Sequence, residues 1–114
     1  MVTPAIGQVL TVAFPFSDLS STKMRPALVL ADAGRGDWLL CQITSQPFGD
    51  AWAVEIQANE VSGHGLKITS FARPLKLFTA NHALLRSYIG DLNPAKHLQL
   101  VNKLMQILIP SPSH

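Results

Sequence analysis

Apolar and polar positions along the chain alternate in short runs, cut by glycine and small polar turns, until one final stretch of helical period. Gly-Gln-Val-Leu-Thr-Val-Ala-Phe-Pro-Phe (7–16) is rich in β-branched and aromatic residues and predicts a first strand. The small polar run 17–23 reads as a loop. Pro-Ala-Leu-Val-Leu-Ala-Asp (26–32) is almost continuously apolar, the pattern of a strand buried on both faces. Pro26 suits the first residue of that strand, where no ladder hydrogen bond need be donated. Ala-Gly-Arg-Gly-Asp (33–37) is a turn and Trp-Leu-Leu-Cys-Gln-Ile-Thr-Ser (38–45) a returning strand, so the two runs predict a hairpin.

Beyond a break at 46–51, Trp-Ala-Val-Glu-Ile-Gln (52–57) alternates as a half-exposed strand does. After the Ser-Gly-His-Gly turn (62–65), residues 66–78 carry strand formers, with Pro74 demoting part of the run to an edge or a bulge. Residues 80–90 fit either a helical turn or a further strand. The last element is a helix: Asn93 is a good N-cap and Pro94 fits the first helical position. Leu98, Val101, Leu104, Met105 and Leu108 form one apolar stripe, read as core packing. Many short strands with glycine turns, closed by one helix, predict a mainly β fold with α, a small curled antiparallel barrel with a C-terminal helix.

The 114 residues fit one domain, 1–114, long enough for a core without disulfide staples. At 47% hydrophobic the chain is too apolar for disorder. No run approaches the roughly 20 apolar residues of a membrane span, and the N-terminus lacks the charged start of a signal peptide. The single cysteine, Cys41, lies in an apolar run and reads as core; with no partner for a disulfide it points to a reducing cytoplasm. A net charge of +2 is a mild basic bias, compatible with nucleic acid without arguing for it.

Candidate chemistry narrows by elimination. The four histidines are scattered, and one cysteine completes no zinc set. No phosphate loop and no Gly-x-Ser-x-Gly elbow is present. No metal or other cofactor is expected. Arginines, hydroxyls and a few acids at strand ends remain, and Lys23-Met-Arg25-Pro26 directly ahead of a strand is the most pointed of them.

Five stretches carry a resemblance: Gly-Gln-Val-Leu-Thr-Val-Ala-Phe-Pro-Phe-Ser-Asp, Lys-Met-Arg-Pro-Ala-Leu-Val-Leu, Cys-Gln-Ile-Thr-Ser-Gln, Gly-Leu-Lys-Ile-Thr-Ser-Phe-Ala-Arg-Pro-Leu-Lys-Leu-Phe-Thr and Ile-Gly-Asp-Leu. Over nearly its whole length the chain resembles the MazF/PemK toxins of type II toxin–antitoxin systems. The resemblance implies an SH3-like barrel, a homodimer, a cognate antitoxin as partner and metal-independent cleavage of single-stranded RNA, as in an mRNA interferase. It implies Arg25 and Thr44 as the catalytic pair. Ser70 stands where several members carry an acid, which leaves the proton acceptor open, with Asp18 and His64 as replacements. Phe16, Asp18, Lys23, Gln46, Ser70 and Arg73 are the candidate RNA contacts. Phe16 and Gln46 suit base reading, since an aromatic ring stacks an unpaired base. Trp38 and Trp52 are expected in the core or a dimer interface, and part of the helical stripe at a dimer or antitoxin surface. Two alternatives stay open: a member that binds RNA or antitoxin without cleaving, and a gyrase-directed toxin of the same fold.

Overall fold

The computed structural model describes residues 3–15 and 22–110. Six strands, β1 (Gln8–Pro15), β2 (Thr22–Gly34), β3 (Asp37–Thr44), β4 (Val54–Ile56), β5 (Ser70–Asn81) and β6 (Leu85–Asp91), precede one helix, α1 (Pro94–Leu108). They form one sheet in the order β4-β5-β3-β2-β1-β6, every pair antiparallel. The sheet is curled rather than closed. Its two margins meet at a single bridge, Val61 with Leu92. There the backbone of residues 62–65 lies along the end of β6, with Ser62 N–H donating to Asp91 O (2.9 Å) and His64 N–H to Ile89 O (2.8 Å). Gly90 permits the approach: a Cβ at that position would sit 1.6 Å from the Ser62 carbonyl oxygen.

The expectation of a strand buried on both faces holds for β2, whose Ala27, Leu28 and Val29 are all fully buried. Leu28 joins Val9, Ile43, Ile56 and Leu100 on one face of the sheet. Ala27 and Val29 join Leu10, Val12 and Leu40 on the other, backed by Phe14, Trp38 and Phe78. Each fully buried Val, Leu or Ile among them contributes about 1.5–3 kcal/mol on leaving water, and the hairpin of β2 and β3, with residues in both sets, is the common wall of both clusters.

Three sequence expectations need correction, and one pair of alternatives resolves. Pro26 is not the first residue of its strand: β2 begins at Thr22, and Pro26 lies opposite Thr11. The loop expected at 17–23 falls mostly outside the described residues, and its last two positions already belong to β2. Of the two alternatives at Pro74, the bulge is the one that forms. β5 lies between β4 and β3, and Pro74 sits in a bulge where the pairing jumps from Ile43–Ala72 to Cys41–Leu77. Finally, the helical stripe is only partly core: Leu98, Met105 and Leu108 are 59%, 50% and 69% exposed, while Val101 and Leu104 are half-buried. α1 carries a neighbouring apolar stripe that shares Leu104, and the sheet takes that one, with Leu100 buried and Leu104 and Ile107 half-buried. The ambiguous run 80–90 is both of its alternatives, a single 3₁₀ turn (His82–Leu84) and then β6. The helix start is as expected: the Asn93 carboxamide oxygen accepts from Ala95 N–H (2.8 Å), and Pro94 opens the helix.

Candidate active-site groove

Between β2 and β3 the ladder runs from the hairpin tip as far as the pair Ala27–Gln42. The next residue of β2 is Pro26, which has no N–H to donate. Beyond it the two strands part, while β3 goes on pairing with β5 through Ile43–Ala72 and Thr44–Phe71. A groove of about 290 Å³ occupies this gap, lined by residues 23–26, by 43–45, and by 66–68 with Ser70. Carrying the Ala27–Gln42 register two residues onward sets Arg25 across from Thr44 on one face of the sheet.

Arg25 is half-buried at the groove, its backbone held opposite Val12 of β1. Thr44 is buried at 9% exposure, and its hydroxyl oxygen accepts from Gln46 N–H (3.1 Å). That bond fixes the oxygen and leaves the hydroxyl proton to be donated elsewhere. Ser70 is buried at 4% exposure and donates to the Ile68 carbonyl (3.1 Å), so its proton is engaged. Lys23 and Lys67 are exposed at the rim. The lining thus carries three cations, Lys23, Arg25 and Lys67, and among the described residues no acidic side chain. The mild net charge of the chain is concentrated where it can act on an anion.

Of the other candidates, those described stand apart from the lining. Phe16 and Asp18 lie outside the described residues. Gln46 is exposed just beyond Ser45, tied to the site through its backbone bond to Thr44. His64 is exposed in the turn that covers β6. Arg73 sits in the β5 bulge and donates through Nε to Asp50 Oδ2 (3.0 Å). The Asp50 side chain is 4% exposed and also accepts from Trp52 N–H (2.9 Å). The hydrogen bond from Arg73 holds the Asp50 carboxyl below the ordinary carboxylate range against the opposing effect of desolvation. Cys41 is core, as expected: burial pushes its thiol up to about 12, and the thiol donates to the Arg73 carbonyl (3.2 Å).

Sequence reasoning passed over Phe48. It follows Pro47 in the loop between β3 and β4, in a turn closed by Asp50 N–H to Pro47 O (3.0 Å). Its φ is 55° and that of Gly49 is 72°, the backbone of a type I′ turn. A bulky residue held at positive φ costs about 1–2 kcal/mol, yet the side chain is 73% exposed. The Arg73 guanidinium carbon lies 5.7 Å from the centre of the ring. The signal was a Phe-Gly pair between Pro and Asp, a turn with the wrong residue at its first central position.

A curled antiparallel sheet with one terminal helix, opening on a basic groove at a strand end, defines a class of small β proteins. A sequence profile of PemK-like, MazF-like toxins of type II toxin–antitoxin systems matches residues 5–108, and the chain belongs to this family. No curated protein matches it significantly. Solved structures agree on the fold. A MazE–MazF crystal structure from Deinococcus radiodurans superposes with TM-score 0.73 at 22% identity, covering 95% of this chain and 98% of the other. The Mycobacterium tuberculosis toxin MazF-mt6 superposes with TM-score 0.71 at 18% identity over 92% and 99%. An endoribonuclease in complex with its cognate antitoxin, from a mycobacterial species, superposes with TM-score 0.68 at 21% identity over 96% and 100%. Among the described residues no helix is long and apolar enough to cross a membrane.

Proposed function

We propose that this toxin-family protein is an endoribonuclease that cleaves single-stranded RNA without a metal ion. One observation carries the reading: Arg25 and Thr44, from different strands, line the same basic groove at the point where the β2–β3 ladder ends. In the reaction the substrate's own 2′-hydroxyl attacks the adjacent phosphorus. The 2′-hydroxyl proton passes to solvent water, the P–O5′ bond breaks and the leaving oxygen takes a proton from water, giving a 2′,3′-cyclic phosphate and a 5′-hydroxyl. Arg25 presents a rigid fork of donors to the phosphoryl oxygens and stabilises the charge that builds in the pentacoordinate transition state. The Thr44 hydroxyl, its oxygen fixed by Gln46 N–H, donates to one of those oxygens and sets the phosphate in place. Ser70 is no general base, because a neutral hydroxyl is only weakly basic; its own proton is engaged by the Ile68 carbonyl, so it offers no free donor either. Catalysis on this reading rests on charge stabilisation and positioning more than on a strong base.

The stripe of α1 left in water supports a protein partner, either a second copy of the chain or a cognate antitoxin. The resemblance to antitoxin-bound structures supports the latter. A second reading, RNA binding without cleavage, draws on the acid-free lining around Ser70.

The test is incubation of the purified protein and of Arg25→Ala with end-labelled single-stranded RNA in EDTA. Cyclic-phosphate products from the parent protein, lost in the variant, are expected. Binding without products selects the second reading. Cleavage that EDTA abolishes overturns the first.

A further inference from the structure

We infer that Phe48 is a stacking platform for a nucleobase of the bound strand, set beside the groove and held flat by Arg73. The inference rests on the reading of the groove as a site for single-stranded RNA. The usual reasons for a phenylalanine do not apply here. Packing does not explain it, because the residue is 73% exposed. Turn formation does not explain it, because its φ of 55° suits glycine, asparagine or aspartate better. A residue that opposes its backbone and buries little of itself points to work at the surface.

The surroundings say what the ring meets. One flank is taken by the Arg73 guanidinium, 5.7 Å from the ring centre. That guanidinium is no loose cation, since Asp50 anchors its Nε at 3.0 Å and is itself fixed by Trp52 N–H at 2.9 Å. The high exposure of Phe48 leaves the rest of the ring to solvent. A base laid on it completes a stack of base, ring and guanidinium, with the cation adding to the attraction. The chain supplies the proximity. Ser45 lines the groove and Phe48 is three residues further on, so their Cα atoms lie within about 11 Å of one another. That keeps the Phe48 backbone within reach of a strand lying in the groove. A base suits the ring better than a purely apolar segment does, because the contact the ring makes is with a guanidinium, which adds its charge to a stack.

The test uses random-sequence 2′-O-methyl RNA oligonucleotides, which lack the nucleophile, so binding is read whether or not the protein cleaves. Phe48→Asn accepts positive φ and removes the ring. The expected pair of results has opposite signs: Tm rises by a few degrees, while affinity for the oligonucleotides falls roughly 5- to 100-fold. Phe48→Trp is expected to keep the affinity. Unchanged affinity in Phe48→Asn, with or without a rise in Tm, assigns the ring to a protein surface and overturns the inference. Loss of affinity together with loss of Tm marks the ring as structural and overturns it as well. A protein that binds through Phe48 yet leaves ordinary RNA uncut upholds the platform and defeats the nuclease reading; one that cuts with an unchanged kcat/KM in Phe48→Asn does the reverse.

Discussion

The two ends of the β2–β3 hairpin are built from the same pair of strands and behave in opposite ways. At the tip, Gly34 pairs with Asp37 around Arg35 and Gly36, with φ values of 56° and 79°. The tip is tied down from outside, since His82 N–H donates to Gly36 O (2.8 Å) and the Asn81 amide to Asp37 Oδ1 (3.1 Å). At the other end Pro26 follows the last pair, the strands separate, and Arg25 and Thr44 border a groove. Positive φ appears near both ends, but the turn at Arg35 joins two strands paired up to it, whereas the turn at Phe48 ends on an exposed ring. Closure is made by turn chemistry and pairing; opening is made by one residue that has nothing to donate.

The contrast is sharpest in activity. Arg25→Lys keeps the charge and loses the fork, and turnover of RNA is expected to fall about 100-fold. Arg35→Lys, at the closed end, is expected to leave it unchanged. Equal losses in single-turnover assays would erase the distinction between the ends. The next effect is on stability. Gly36→Ala places a Cβ 2.9 Å from His82 Nδ1 at a φ of 79°, and about 1–3 kcal/mol of unfolding free energy is expected to be lost. Activity per folded molecule should stay unchanged, as read by urea denaturation beside the RNA assay. The smallest effect belongs to the loop between β3 and β4. The Asp50 carboxyl is held below its ordinary value by Arg73, so its contribution is fully present above the unfolded-state value near 4. It is lost as pH falls through the folded value. Urea denaturation from pH 6 to pH 2 should show a stability decrease at the acid end that is shallower in Asp50→Asn.

Much of the framework was legible in the residues. The continuous apolar run of β2 announced a strand buried on both faces, and Asn93-Pro94 announced the helix start, because both signals are local. The groove was half legible. Arg25 and Thr44 stood out through a family pattern, but their meeting depends on where a ladder stops, which a proline only hints at. The α1 stripe misled because two apolar stripes lie side by side on one helix, and periodicity does not say which one the sheet takes. The Arg73–Asp50 pair was hidden: it joins residues far apart in the chain across a bulge whose length no pattern encodes. Phe48 was visible as a letter and invisible as an oddity until its backbone was known.

The seam at Val61–Leu92 bears on how another polypeptide can be received. With residues 62–65 lying along the end of β6, main-chain groups there are already committed. On the opposite margin β4 covers β5 only at Ser70–Ala72, and among the described residues Leu77–Asn81 of β5 pair with β3 alone. A visiting extended tail therefore finds the border beside the end of β6 closed and the border along the far half of β5 open for lengthening the sheet. The two margins thus differ in kind: one can be met only through side chains, the other through main-chain pairing as well.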